Sequence, residues 1–111
     1  MDISFHTDKL RDDCHDDRRL VRRYGKEMAK VIRQRLDDLR AATTLDDFRN
    51  LPGRCHELRG DRAGILSLDL RGPQRLLFIP TGEAVQRRPD GGLDWRAVTA
   101  VEILGVENTH E

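Results

Sequence analysis

Cysteine is nearly absent from this chain: only Cys14 and Cys55 occur in 111 residues. Two cysteines build no disulfide scaffold, and they suit a reducing, intracellular compartment. Long apolar runs are missing as well. No stretch approaches the length that spans a bilayer, and the opening segment Met1-Asp2-Ile3-Ser4-Phe5-His6-Thr7-Asp8-Lys9 lacks a signal-peptide pattern. The expectation is a soluble, cytoplasmic protein with no membrane partner. Net charge is also lacking, because 20 Lys+Arg balance 20 Asp+Glu. A free nucleic-acid-binding domain is usually more basic. No internal repeat or low-complexity segment occurs. Several catalytic signatures are absent: there is no P-loop, no GxGxxG before a helix, no HExxH, and no nucleophile-elbow context around Ser67.

What is present is charge, unevenly spread. Charged residues make up 36% of the chain. Residues 16–40 carry nine Lys/Arg against five Asp/Glu, a balance of +4; residues 54–75 carry five against three, or +2; residues 76–111 carry three against six, or −3. The middle of the chain therefore offers a basic surface that the net value hides. A chain of this length is expected to form one domain over residues 1–111, burying roughly 65% of its unfolded surface.

Hydrophobic periodicity divides the chain in two. Ile3-Ser4-Phe5 reads as a short strand. Thr7 followed by Asp8 reads as a capped start of a brief helix running to about His15. Asp16 and Asp17 are cap candidates for the next helix, where Leu20, Val21, Tyr24, Met28, Val31, Ile32, Leu36 and Leu39 recur at three- and four-residue spacing, with Gly25 as a break or bend. Thr44 precedes a further turn of helix closed by Pro52-Gly53. From there the period changes to two. Strands are expected over Arg54–Leu58, Ile65–Leu70, Arg75–Ile79 and Val98–Val106, with a long loop over residues 80–94. In the second of these, Leu66, Leu68 and Leu70 share one face, and Ser67 and Asp69 the other. The last strand, apolar on both faces, is expected inside the sheet. Helices first and strands after predict an α+β domain, a helical pair packed on a small antiparallel sheet.

Four histidines are the candidates for chemistry: His6, His15, His56 and His110. The pairs Cys14-His15 and Cys55-His56 raise zinc, but neighbours on a strand point to opposite faces and do not share one metal. No metal and no cofactor are expected. RNA can be cut without a metal by its own 2′-hydroxyl, given a base, an acid and a cation beside the phosphorus. His56, Arg75 and His110 are residues of the right kind, although a strand histidine is also a common structural residue.

The order of several segments resembles the HigB branch of the RelE/ParE toxin superfamily, some relatives of which are labelled killer suppression protein. The segments are Tyr24–Lys30, Leu36–Ala42, Leu51–Arg62, Leu68–Phe78, Asp90–Trp95 and Val101–Leu104, followed by Thr109-His110-Glu111. The resemblance covers almost the whole chain. It implies a RelE/ParE-like α+β fold and a toxin that cleaves messenger RNA in the ribosome. His56-Glu57-Leu58-Arg59-Gly60-Asp61-Arg62 resembles a family segment reading His-Pro-Leu-Lys-Gly-Asp-Arg, which puts His56 on a catalytic histidine. Arg75 falls on an arginine that contacts the scissile phosphate. His110 falls on the last residue of a motif that often reads Asp-Tyr-His. Here the matching residues are Asn108-Thr109-His110, without the carboxylate or the phenol, and Glu107 is one position off and would face the other way on a strand. The resemblance further implies RNA and ribosome contacts through Arg22, Arg23, Arg54, Arg59 and Arg62, and a cognate helix-turn-helix antitoxin like HigA. The same fold carries an alternative, a binding toxin without nuclease activity like the gyrase-targeting ParE proteins, and a further one, a catalytically degenerate member.

Overall fold

A computed structural model describes residues 1–82 and 88–108 of the chain. The helical part consists of α1 (Asp8–His15), α2 (Asp17–Tyr24) and α3 (Lys26–Ala41), preceded by strand β1 (Asp2–Phe5). Thr7 caps α1, its hydroxyl accepting from the Leu10 amide at 3.1 Å. Asp16 serves both helices it separates. Its own N–H closes α1, and its carboxylate accepts from the Arg18 and Arg19 amides at the start of α2. Helix starts leave such amides unpaired, and a short acceptor side chain satisfies them. The long periodic segment is broken at Gly25, as its glycine suggested. With φ 86° and ψ 161°, Gly25 occupies a region that is essentially reserved for glycine. It ends α2 through its N–H to the Val21 carbonyl and begins α3 through its own carbonyl.

Strands β2 (His56–Glu57), β3 (Leu66–Asp69), β4 (Gln74–Pro80) and β5 (Ala100–Asn108) join β1 in a five-stranded sheet of order β1-β5-β4-β3-β2. The α+β architecture is the expected one, and β5 lies inside the sheet. Strands β2 to β5 pair antiparallel, whereas β1 pairs parallel with β5, Ile3 opposite Val101 and Phe5 opposite Ile103. The sheet is therefore mixed at this edge, because helices α1 to α3 carry the chain away before it returns. The strand expected over Arg54–Leu58 shortens to His56–Glu57: Gly53 at φ 114° and Arg54 at φ 49° hold its start in a left-handed turn. A side chain at Gly53 would meet Arg35 Nε and Leu68 Cδ2 at 3.0 Å. Of the long loop expected over residues 80–94, residues 83–87 lie outside the described residues.

One face of the sheet meets the helices. Ala29, Ile32, Leu36 and Leu39 of α3 form a buried stripe, joined by Leu20 of α2. They pack with Leu66, Leu68, Leu76, Phe78, Val101 and Ile103. Burying a large apolar side chain of this kind stabilises by about 1.5–3 kcal/mol. The core fixes the register of every strand, and so fixes what points to the opposite face.

Candidate active-site face

Strand alternation sends Arg75 and Leu77 away from the core that holds Leu76 and Phe78. Register then extends that outward face across the sheet. Asp69, Arg75 and Glu107 form one row, and His56, Ser67, Leu77 and Gly105 form the next. His56 and Arg75 thus lie on one face, on strands separated by β3. Ser67 was expected on this face and is there, but it is only 1% exposed, and its hydroxyl has no hydrogen-bond partner among the described residues.

Asp69 is the hub. Its carboxylate accepts from Arg54 through Nε at 3.1 Å and Nη2 at 3.2 Å. Arg75 Nε lies 2.9 Å from Asp69 Oδ1 as an ion-pair contact without hydrogen-bond alignment. Arg75 Nη1 donates to the carbonyls of Gly72 and Gln74, each at 2.8 Å. The guanidinium is mostly covered, with 12% of the side chain exposed, so the tight turn before β4 holds it rigidly. The Asp69 backbone is clamped as well: its N–H donates to the Gly53 carbonyl at 2.7 Å, and its carbonyl accepts from Arg35 Nε at 2.9 Å. Such a two-sided clamp keeps the carboxylate, and hence both arginines, in one place.

His56 donates from Nδ1 to the Arg54 carbonyl at 2.9 Å. A carbonyl only accepts, so that bond places the hydrogen of the neutral ring on Nδ1. Arg62 grips Glu107 through both Nη atoms, at 3.0 and 3.1 Å. Glu107, opposite Arg75, is thus the carboxylate that β5 supplies to this face, while Asn108 pairs with Gln74. Arg59 is exposed just before the short turn Gly60–Arg62. Arg22 and Arg23 stand exposed on α2, and His110 lies outside the described residues. On this face the cations Arg54, Arg62 and Arg75 outnumber the carboxylates Asp69 and Glu107.

Neither cysteine adds a reactive group. Burial pushes the Cys55 thiol up to about 12. Burial and the neighbouring Asp13 charge push Cys14 up to about 11. Both pack against the core, and no group of three or more His, Cys, Asp or Glu among the described residues is arranged to hold a metal ion. Sequence reading alone gives Asp69 no role beyond that of a polar strand residue. The available signal was spacing: Asp69 and Arg75 each stand three residues from Gly72, and a hairpin turning about that glycine pairs them.

No protein-family model matches the chain, and no curated protein matches it in sequence. Among solved structures the chain is similar to a YoeB/ParE toxin from Agrobacterium tumefaciens, with a TM-score of 0.61 and 14% identity, over 99% of this chain and 100% of that one. At that identity the likeness concerns architecture: this chain has the fold of a YoeB/ParE toxin.

Proposed function

We propose that this chain is the toxin of a toxin–antitoxin pair and that it cleaves messenger RNA on the ribosome. The observation that carries the reading is the shared face of His56 and Arg75, with Arg54 and Arg62 beside them. In the reaction, the RNA 2′-oxygen attacks the adjacent phosphorus while a histidine takes its proton. The bond from phosphorus to the 5′-oxygen breaks, and a second acid protonates that oxygen. The products are a 2′,3′-cyclic phosphate and a 5′-hydroxyl end. His56 and His110 divide the roles of base and acid, and Arg75 stabilises the charge that builds on the phosphoryl oxygens. Arg22, Arg23, Arg54, Arg59 and Arg62 hold RNA by phosphate contact. A helix-turn-helix antitoxin is the expected neutralising partner.

The carboxylates give a second reading its support. Asp69 and Glu107 already engage Arg54, Arg75 and Arg62. A toxin that blocks gyrase by binding, or a degenerate nuclease, has no need of arginines released to a phosphate. Mapping mRNA ends in a translating extract decides between them. New 5′-hydroxyl ends inside ribosome-occupied codons support the nuclease. Intact mRNA with inhibited supercoiling supports the binding toxin.

A further inference from the structure

We propose that a single RNA strand crosses this protein along one continuous groove, whose far end is a phosphate-binding cluster of Lys9, Arg19, Arg22 and Arg23 organised by the buried carboxylate of Asp13. This rests on the reading of the chain as an RNA-cleaving toxin and gives the strand a path away from the His56–Arg75 face. Asp13 on α1 is 3% exposed. It accepts from Lys9 Nζ at 3.3 Å and Arg19 Nε at 3.1 Å, and Arg23 Nη1 stands 3.8 Å away. Three cations on one carboxylate leave a local excess of two positive charges. A buried carboxylate needs a partner, but it does not need three. Arg22, alongside, makes no side-chain hydrogen bond or ion pair among the described residues. The side chain of Arg19 is 41% exposed and held through Nε, and its Nη groups make no hydrogen bond among the described residues. A guanidinium fixed by one edge presents the other to a phosphate. The carboxylate of Asp16, at the start of α2, is occupied by the amides of Arg18 and Arg19.

The path follows from three adjoining hollows. The first, about 260 Å³, is lined by Lys9, Asp13, Arg19, Arg22 and Arg23. The second, about 220 Å³, shares Lys9, Asp13 and Arg23 with it, is bordered by Tyr24, and reaches Leu104, Gly105 and Val106. The third, about 160 Å³, shares those last three residues and ends at Arg62 and Glu107. The groove passes over β5 where the strand is uncovered: β1 stops at Phe5, opposite Ile103. There β5 carries an extra residue, Leu104, between the partners of Leu77 and Phe78. Gly105 at φ 147° forms the floor, with nothing within 4 Å of where a Cβ would stand. The groove is cationic at its Lys9–Arg23 end, bordered there by an aromatic ring, and closes at the other end on the Arg62–Glu107 ion pair. A polymer with a phosphate at each step and bases that stack fits these features.

The test is fluorescence anisotropy of the full chain with a short, labelled 2′-O-methyl RNA, which binds without being cut, over a salt series. Arg19→Glu together with Arg22→Glu is expected to weaken binding by about tenfold or more. The log–log salt slope should fall by about 1.4, because each single-strand phosphate no longer neutralised takes about 0.7 from it. Lys26→Glu with Lys30→Glu makes the same charge change on α3, outside the groove, and should leave the slope near wild type. Gly105→Val should weaken binding with the slope kept; if it does not fold, the two charge variants decide alone. Equal slopes for the two charge variants overturn the proposal. So does a polyglutamate peptide that binds through Arg19 and Arg22 while RNA does not, which would make this an acidic-protein surface. Loss of oligonucleotide binding without any 5′-hydroxyl ends on ribosomes retains the groove and removes the nuclease. Cleavage with an unchanged slope does the reverse.

Discussion

At the scale of single residues, the outward face depends on how Asp69 divides its charge. Arg75→Ala is expected to lower mRNA cleavage by about 10²–10³-fold, the usual cost of removing one charge-stabilising donor. His110→Ala is expected to cost about 10²–10⁴-fold, as for a general acid or base. Growth arrest in a regulated expression strain reads both, and melting temperatures near wild type separate chemistry from folding. Full toxicity in both variants sinks the nuclease mechanism. Asp13 supplies a pH test. Its burial alone would raise its pKa, but the hydrogen bonds from Lys9 and Arg19 outweigh this and hold the carboxyl below its ordinary value. A group depressed in the folded state stabilises above its unfolded pKa, and the contribution is lost as pH falls through the folded value. Denaturant midpoints for wild type and Asp13→Asn should therefore differ at neutral pH and converge in strong acid. A constant gap down to strong acid would count against it. His56 and Arg75 stood out in the sequence as candidates because their segments resemble known ones. Asp13 did not, since Arg19 and Arg23 come from a second helix that only the fold brings near.

At the scale of elements, two connections set the shape of the helical part. Asp16→Ala removes the acceptor at the start of α2 and should cost about 1 kcal/mol. Gly25→Ala places a side chain where only glycine is at ease and should cost about 1–3 kcal/mol. Chemical denaturation measures both, and a neutral Gly25→Ala would mean that the α2–α3 break relaxes without strain. These caps and the break were readable, because capping and glycine act on the nearest few residues. Strand limits were less so. Alternation places Leu66 and Leu68 correctly, yet it cannot foresee that Arg54 sits at φ 49° and delays β2. Nor does it reveal the parallel partner of β1, because pairing over such a separation leaves no local pattern.

At the scale of the whole molecule, the neutral net charge hides a division of labour. Ribosome association should weaken steeply with salt, since Lys and Arg bound to phosphate release counterions. Sedimentation with ribosomes across a salt series checks this, and a flat response would point to an uncharged interface. Co-expression of a helix-turn-helix partner should relieve growth arrest and give a complex that survives size exclusion. A neighbouring gene product that neither binds nor neutralises the chain would remove that partner from the reading.

The pairing of β1 with β5 has a kinetic side. Asp2 meets Ala100, so a chain of nearly the whole sequence must loop back before this edge closes. Contacts of such long range form slowly, and β1 is expected to dock after the hairpin of β3 and β4. Ile3→Ala should then quicken unfolding while leaving the refolding rate almost unchanged. Until that last docking, β5 shows an unguarded edge to any passing strand, and the newly made protein is briefly at its most sticky.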